Sequence, residues 1–159
     1  MNLFPLFQWF EATTLGTVVR ESLWLFPIIE CVHLLALALL GGLVFTVDLR
    51  LLGMGLGIRS QPAAELERNL RPWLVSTLAT MIATGVLMFL SEAIKCYYSP
   101  PFWVKMGMLM LATIFTFTGR RVVAARSSGQ VTGLTRITAL SSLALWCGVA
   151  FSGRWIAFY

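Results

Sequence analysis

Four ionisable side chains, Glu30, His33, Lys105 and Arg154, lie inside stretches of sequence otherwise suited to hydrocarbon. Such groups are costly at membrane depth and usually face a bundle interior or a cavity, where they pair or hold a ligand. Glu30 and His33 are three positions apart, so they share a helix face with Pro27 above and Leu37 and Gly41 below. His33 is the only histidine in the chain. Its imidazole suits a metal ligand or a proton carrier, with Glu30 as its hydrogen-bond partner. Pro27 would free a backbone carbonyl and kink the helix next to them. Lys105 and Arg154 would compensate charge or bind an anionic group, and both are also long enough to snorkel to the headgroups. Counted at about 1.5 Å per residue from the outer end of each span, all four fall in the same half of the membrane. They are the candidate cofactor-binding residues, and His33 is the candidate metal ligand.

One histidine excludes a two-histidine haem site within a single chain. Haem ligation by His33 alone remains, as does ligation shared with a methionine of another span (Met81, Met88, Met106, Met108, Met110) or with His33 of a second copy. A copper site from His33 and methionines is conceivable, but no second histidine supports it. The Glu30-x-x-His33 spacing also occurs in di-iron bundles, which require two such motifs and further carboxylates. Cys31, Cys96 and Cys147 follow no metal-binding spacing. Cys31 and Cys147 fall within spans and are read as packing residues, Cys96 as a free or intermolecular thiol.

The elements that must position these residues follow from composition. Of 159 residues, 58% are hydrophobic and 12% charged, about half the charge of an ordinary soluble domain. Four windows, Leu23–Val47, Trp73–Ser91, Phe102–Thr118 and Ile137–Phe158, hold only Glu30, Lys105 and Arg154 as charges. Each is close to the roughly 20 residues that cross a bilayer core about 30 Å thick. The expected fold class is all-α, an integral membrane four-helix bundle forming a single transmembrane domain over residues 1–159 in a lipid bilayer. A soluble enzyme, a nucleic-acid binder and a secreted disulfide scaffold are excluded.

Residues 1–22 read as an interfacial amphipathic helix, with Leu3, Phe7, Phe10, Thr14 and Val18 along one face. Ser99-Pro100-Pro101 starts the third span, and Pro72 does the same for the second after a short helix beginning at Ser60-Gln61-Pro62. The run Gly53-Met54-Gly55-Leu56-Gly57 reads as a loop. Small residues mark expected helix contacts: Ala144, Gly148 and Ser152; Ser76, Thr80 and Thr84; Gly41 and Gly42. Eight arginines (Arg50, Arg59, Arg68, Arg71, Arg120, Arg121, Arg126, Arg136) gather in the two loops on one side. The positive-inside rule makes that side cytoplasmic and places both termini in the periplasm of a bacterial inner membrane.

The stretch His33-Leu34-Leu35-Ala36-Leu37-Ala38-Leu39-Leu40-Gly41-Gly42, continuing to Asp48-Leu49-Arg50-Leu51-Leu52-Gly53, resembles a group of small, uncharacterised bacterial four-span proteins. Trp24-Leu25-Phe26-Pro27-Ile28-Ile29-Glu30 and Phe102-Trp103-Val104-Lys105-Met106 look like landmarks of the same group. In shape it is distantly similar to CopD-type copper-resistance proteins and to the four-span protoporphyrinogen oxidase. In oxidase-like members a span histidine ligates haem, which would match His33, and a third-span lysine would match Lys105. The leading expectation is a redox-type membrane protein holding haem b or a similar cofactor near His33, as a homo-oligomer or within a larger membrane redox complex. The alternatives are a non-catalytic accessory subunit of a larger membrane complex and a small proton-coupled transporter with Glu30 and His33 as relay.

Overall fold

The computed structural model describes residues 3–54, 62–127 and 131–158. Two short helices, α1 (Phe4–Glu11) and α2 (Thr14–Glu21), precede α3 (Leu25–Leu51) and α4 (Ala63–Ser91). A short α5 (Ala93–Tyr98) leads into α6 (Pro100–Phe115), a π-helical turn (Thr116–Arg120) and α7 (Arg121–Arg126). The last helix, α8 (Gly133–Trp155), ends in a 3₁₀ turn (Ile156–Phe158). Four helical runs are long and apolar enough to cross a membrane: α3, α4, the continuous Pro100–Arg126 run and α8. The protein is a small polytopic membrane protein built as a helical bundle.

The spans exceed their apolar windows at the arginine-rich end. Hydropathy stops at the first charge, but Arg, Glu, Ala and Leu are all good helix formers, so the helices continue past it. The expected short helix and the second span are one element, because α4 runs from Ala63 straight through Pro72. The carbonyl that Pro72 leaves without a helical donor is that of Arg68, close to the end of the helix. The third span runs on to Arg126 rather than ending at Thr118, and α8 begins at Gly133, four residues before the apolar window. There Thr132 and Thr135 form a reciprocal capping box. α3 ends at Gly53, whose φ of +80° suits glycine. The rest of the glycine-rich loop (55–57) and the Ser60-Gln61 helix start lie outside the described residues.

The interfacial segment is two helices rather than one. Thr13 breaks it: its hydroxyl donates to the Phe10 carbonyl (2.7 Å) and accepts from the Gly16 N–H (3.3 Å) as the N-cap of α2. The pair is clamped onto the far end of α4 and α5. The Glu11 carboxylate accepts the Ile94 N–H at 2.6 Å, and Arg20 pairs with Glu11 at 3.2 Å and donates to the Ser91 carbonyl at 3.4 Å. Gly16 packs against the Leu90 carbonyl so closely that a Cβ would have no room. Phe7 meets Phe89 and Tyr97 edge-on, with centroids 5.5 and 5.2 Å apart.

The spans form a ring in chain order: α3 on α4, α8 on α6, and α8 back on α3. The third span meets α4 chiefly through α7, so the bundle is tighter at the arginine-rich end. Its core is a cluster of Leu40, Val44, Leu74, Leu78, Met81, Ala112, Trp146 and Val149. The small-residue stripes are largely not the contact faces expected. Ser76, Thr80 and Ala144 are exposed, and Ser76 and Thr80 donate to carbonyls of their own helix. A Cβ at Gly41 or Gly42 would touch nothing. Of the expected contacts, Gly148 packs against Met108, and Ser152 and Thr84 are buried; close approach also occurs at Gly85 and Gly153. Cys31 and Cys147 lie on the outer surface of the bundle rather than packing within it.

Candidate functional site

Near the end opposite the arginine loops, a cavity of about 390 Å³ lies among all four spans. Glu30 and His33 from α3, Lys105 from α6 and Arg154 from α8 all line it. The sequence placed these four at one level, and the fold brings them to one cavity. Its other walls are apolar: Phe26, Leu34 and Leu37 of α3, Met88 and Phe89 of α4, and Phe102 of α6. Glu92, Lys95 and Cys96 join them where α4 passes into α5. The volume is within the range of small-molecule sites, and so is the combination of apolar walls with a few polar groups.

His33 is buried, at 7% exposure, while Glu30 is exposed. The expected Glu30–His33 hydrogen bond is absent. The His33 Nδ1 lies 2.9 Å from the Thr84 hydroxyl of α4 instead. Thr84 sits level with the ring across the α3–α4 contact, whereas Glu30, one turn nearer the end, turns to the surface. Thr84 has one hydroxyl proton, which it gives to the Thr80 carbonyl at 2.7 Å. With its proton on that carbonyl, the hydroxyl accepts from His33, an arrangement in which the neutral ring carries its proton on Nδ1 and keeps the Nε2 lone pair. Metal-binding histidines are commonly held in this way, with the second nitrogen hydrogen-bonded to fix tautomer and ring angle.

Glycines ease this placement. A Cβ at Gly85 would stand 3.3 Å from the His33 Cε1, close enough that the ring or α4 would have to shift by a few tenths of an ångström. A Cβ at Gly153 would stand 3.3 Å from the Lys105 Nζ, and its absence lets the ammonium reach the cavity across α8. Among the described residues, Lys105 and Arg154 form no ion pair, although Glu30 and Glu92 line the same cavity. Lys105 is half-buried and Arg154 sits exposed at the rim. Pro27 does not kink the span. It is the third residue of α3, in the first turn, where a missing N–H costs nothing.

Thr84, Gly85 and Cys96 escaped the sequence reading. Thr84 stood in it only as one of a stripe of small residues, and nothing short of the α3–α4 pairing sets it against His33. Cys96 lies outside the spans, in α5, where burial and then the Glu92 charge push its thiol up to about 11. It is a protonated wall residue at neutral pH, not a reactive thiolate.

A second buried polar group lies near the arginine-rich end. Asp48 of α3 and Arg120 of the π turn are 0% and 1% exposed, with Nη1 3.5 Å from Oδ1. The same Nη1 lies 3.5 Å from the Val44 carbonyl. Nearby, the Trp146 indole donates to the Thr116 hydroxyl at 3.0 Å. Among the described residues, no group of three or more His, Cys, Asp or Glu side chains is placed to hold a metal ion by itself.

The chain belongs to the DUF6644 family, a family of unknown function whose model matches residues 6–159. No curated protein and no solved structure matches it.

Proposed function

We propose that the protein binds a prosthetic group or ligand with an apolar body and acidic substituents in the cavity among its spans, and that this group is haem b. The observation that carries the reading is the convergence of an oriented imidazole and two unpaired cations on one apolar-walled cavity. The residues present fit the donor set of a haem. His33 would hold the iron through Nε2, Lys105 and Arg154 would neutralise acidic substituents, and the Met88 thioether lines the same cavity. When bound, the group would supply one-electron chemistry, and the protein would supply a ligand, burial and charge. The Thr84 hydroxyl holds the His33 ring in the ligating tautomer. Phe89 and Phe102, stacked at 5.6 Å, form part of the cavity's apolar wall.

The test is the absorption spectrum of protein purified in mild detergent from cells supplied with haem precursor. A Soret band that disappears in His33→Ala and weakens in Lys105→Met supports the reading. A colourless protein that takes up no added hemin would end the haem assignment. Small-molecule uptake would then be followed through Lys105 and Arg154, on anionic ligands of the same size.

A further inference from the structure

The Asp48–Arg120 pair is incompletely satisfied. Asp48 Oδ2, Arg120 Nε and the Ser142 hydroxyl of α8 are all buried without a hydrogen-bond partner among the described residues. At 3.5 Å the ion pair itself is long for a charge-assisted bond, which normally closes to about 2.7–2.9 Å. Burying two charges this loosely is costly, and each orphaned buried group calls for an explanation. Two features supply one. Ser142 lies beside Asp48, and a hydroxyl can donate to a carboxylate or accept from a carboxylic acid. A second carboxylate, Glu67 of α4, shares Arg120 electrostatically with Asp48, and a cavity of about 10 Å³ lies between Glu67 and Arg120. That is the size of one water molecule.

We propose that Asp48 is an internal proton-binding site, reached from the arginine-rich end past Arg120, which lines this water-sized gap, with the guanidinium passing from Asp48 to Glu67 as the proton arrives. The step balances: a hydronium admitted as Arg120 moves aside gives its proton to a carboxylate oxygen of Asp48 and becomes water. The carboxyl group is left neutral, and the guanidinium keeps its charge by pairing with Glu67. The groups facing the site are Glu67 and Arg71 from α4, Arg120 and Arg121 from the third span and Ser142 from α8. The π turn that carries Arg120 has one more residue per turn than an α-helix and is a form helices often adopt at working positions. The apolar cluster of Leu40, Val44, Leu74 and Leu78 separates the site from the cavity around His33, so the inference stands apart from the haem proposal.

Infrared difference spectroscopy on the full-length protein in lipid, titrated over about pH 5–9, reads the proton directly. A carboxylic acid C=O band should grow as the pH falls and be missing in Asp48→Asn. In Glu67→Gln, Arg120 has no alternative partner and stays on Asp48, so the midpoint should fall by about one pH unit, a tenfold loss of proton affinity. If Asp48→Asn does not fold, the Glu67→Gln shift alone decides. No titrating band, a band retained in Asp48→Asn, or a midpoint indifferent to Glu67→Gln would each overturn the proposal.

Discussion

At the scale of the residue, the account rests on what orients His33. Its place in the site was legible because an imidazole in an apolar span has few harmless explanations. Its partner was not, since helical spacing shows which residues share a face but not which residue stands opposite on the next helix. Glu30 was the choice that spacing alone allows; Thr84 is the one packing makes. Thr84→Val should therefore weaken retention of the bound group by about 10- to 100-fold, the usual effect of losing the group that orients a ligating histidine. Wild-type retention in a spectral titration would contradict the tautomer argument. Cys96 offers a separate check by pH. With its thiol at about 11, only about one molecule in ten thousand is thiolate at pH 7. Labelling by a water-soluble maleimide should be slow there and rise about tenfold per pH unit towards that value. A neutral-pH rate like that of free cysteine would mean that α5 does not cover it.

At the scale of the element, the apolar windows located every span but misjudged the ends. Both members of the buried pair lie where hydropathy assigns loops: Asp48 just past the first window and Arg120 just past the third, 72 positions apart in sequence. Each read as one more charge at a membrane boundary. What hides them is helix continuing beyond the apolar stretch and a π turn rotating Arg120 inward, and neither has a clear sequence signal. The pair's energetics can be measured. Arg120→Met should destabilise the bundle by about 3–5 kcal/mol, because it strands a buried carboxylate, whereas Arg120→Met combined with Asp48→Leu should recover most of the loss. Thermal unfolding in detergent gives the comparison; a double variant as damaged as the single would show that shape rather than charge decides this contact. At the other end, α1 and α2 are held by Glu11 and its neighbours. Removing that hydrogen-bonded, charged clamp in Glu11→Ala should speed proteolysis within residues 4–21 while leaving the spans protected.

At the scale of the whole molecule, the four spans place residues 3 and 158 on the same side of the membrane, opposite the loops that carry the arginines. The positive-inside rule predicts that the side of the termini is the periplasm. A reporter active only outside the cytoplasm should then work when fused after Tyr159 and fail when inserted at Ser128; the opposite pattern would invert the orientation without altering the fold. The two polar sites sit at opposite ends of one bundle with an apolar layer between them. One is a roomy cavity with an oriented imidazole and unpaired cations, the other a tight carboxylate–guanidinium contact. The absorption spectrum of the purified protein, compared with that of His33→Ala, bears most directly on the first. The account predicts a Soret band in the wild type, a band lost in His33→Ala, and a variant that still folds as a helical bundle by circular dichroism. A wild type that remains colourless when offered hemin, or a band that survives in His33→Ala, would contradict it.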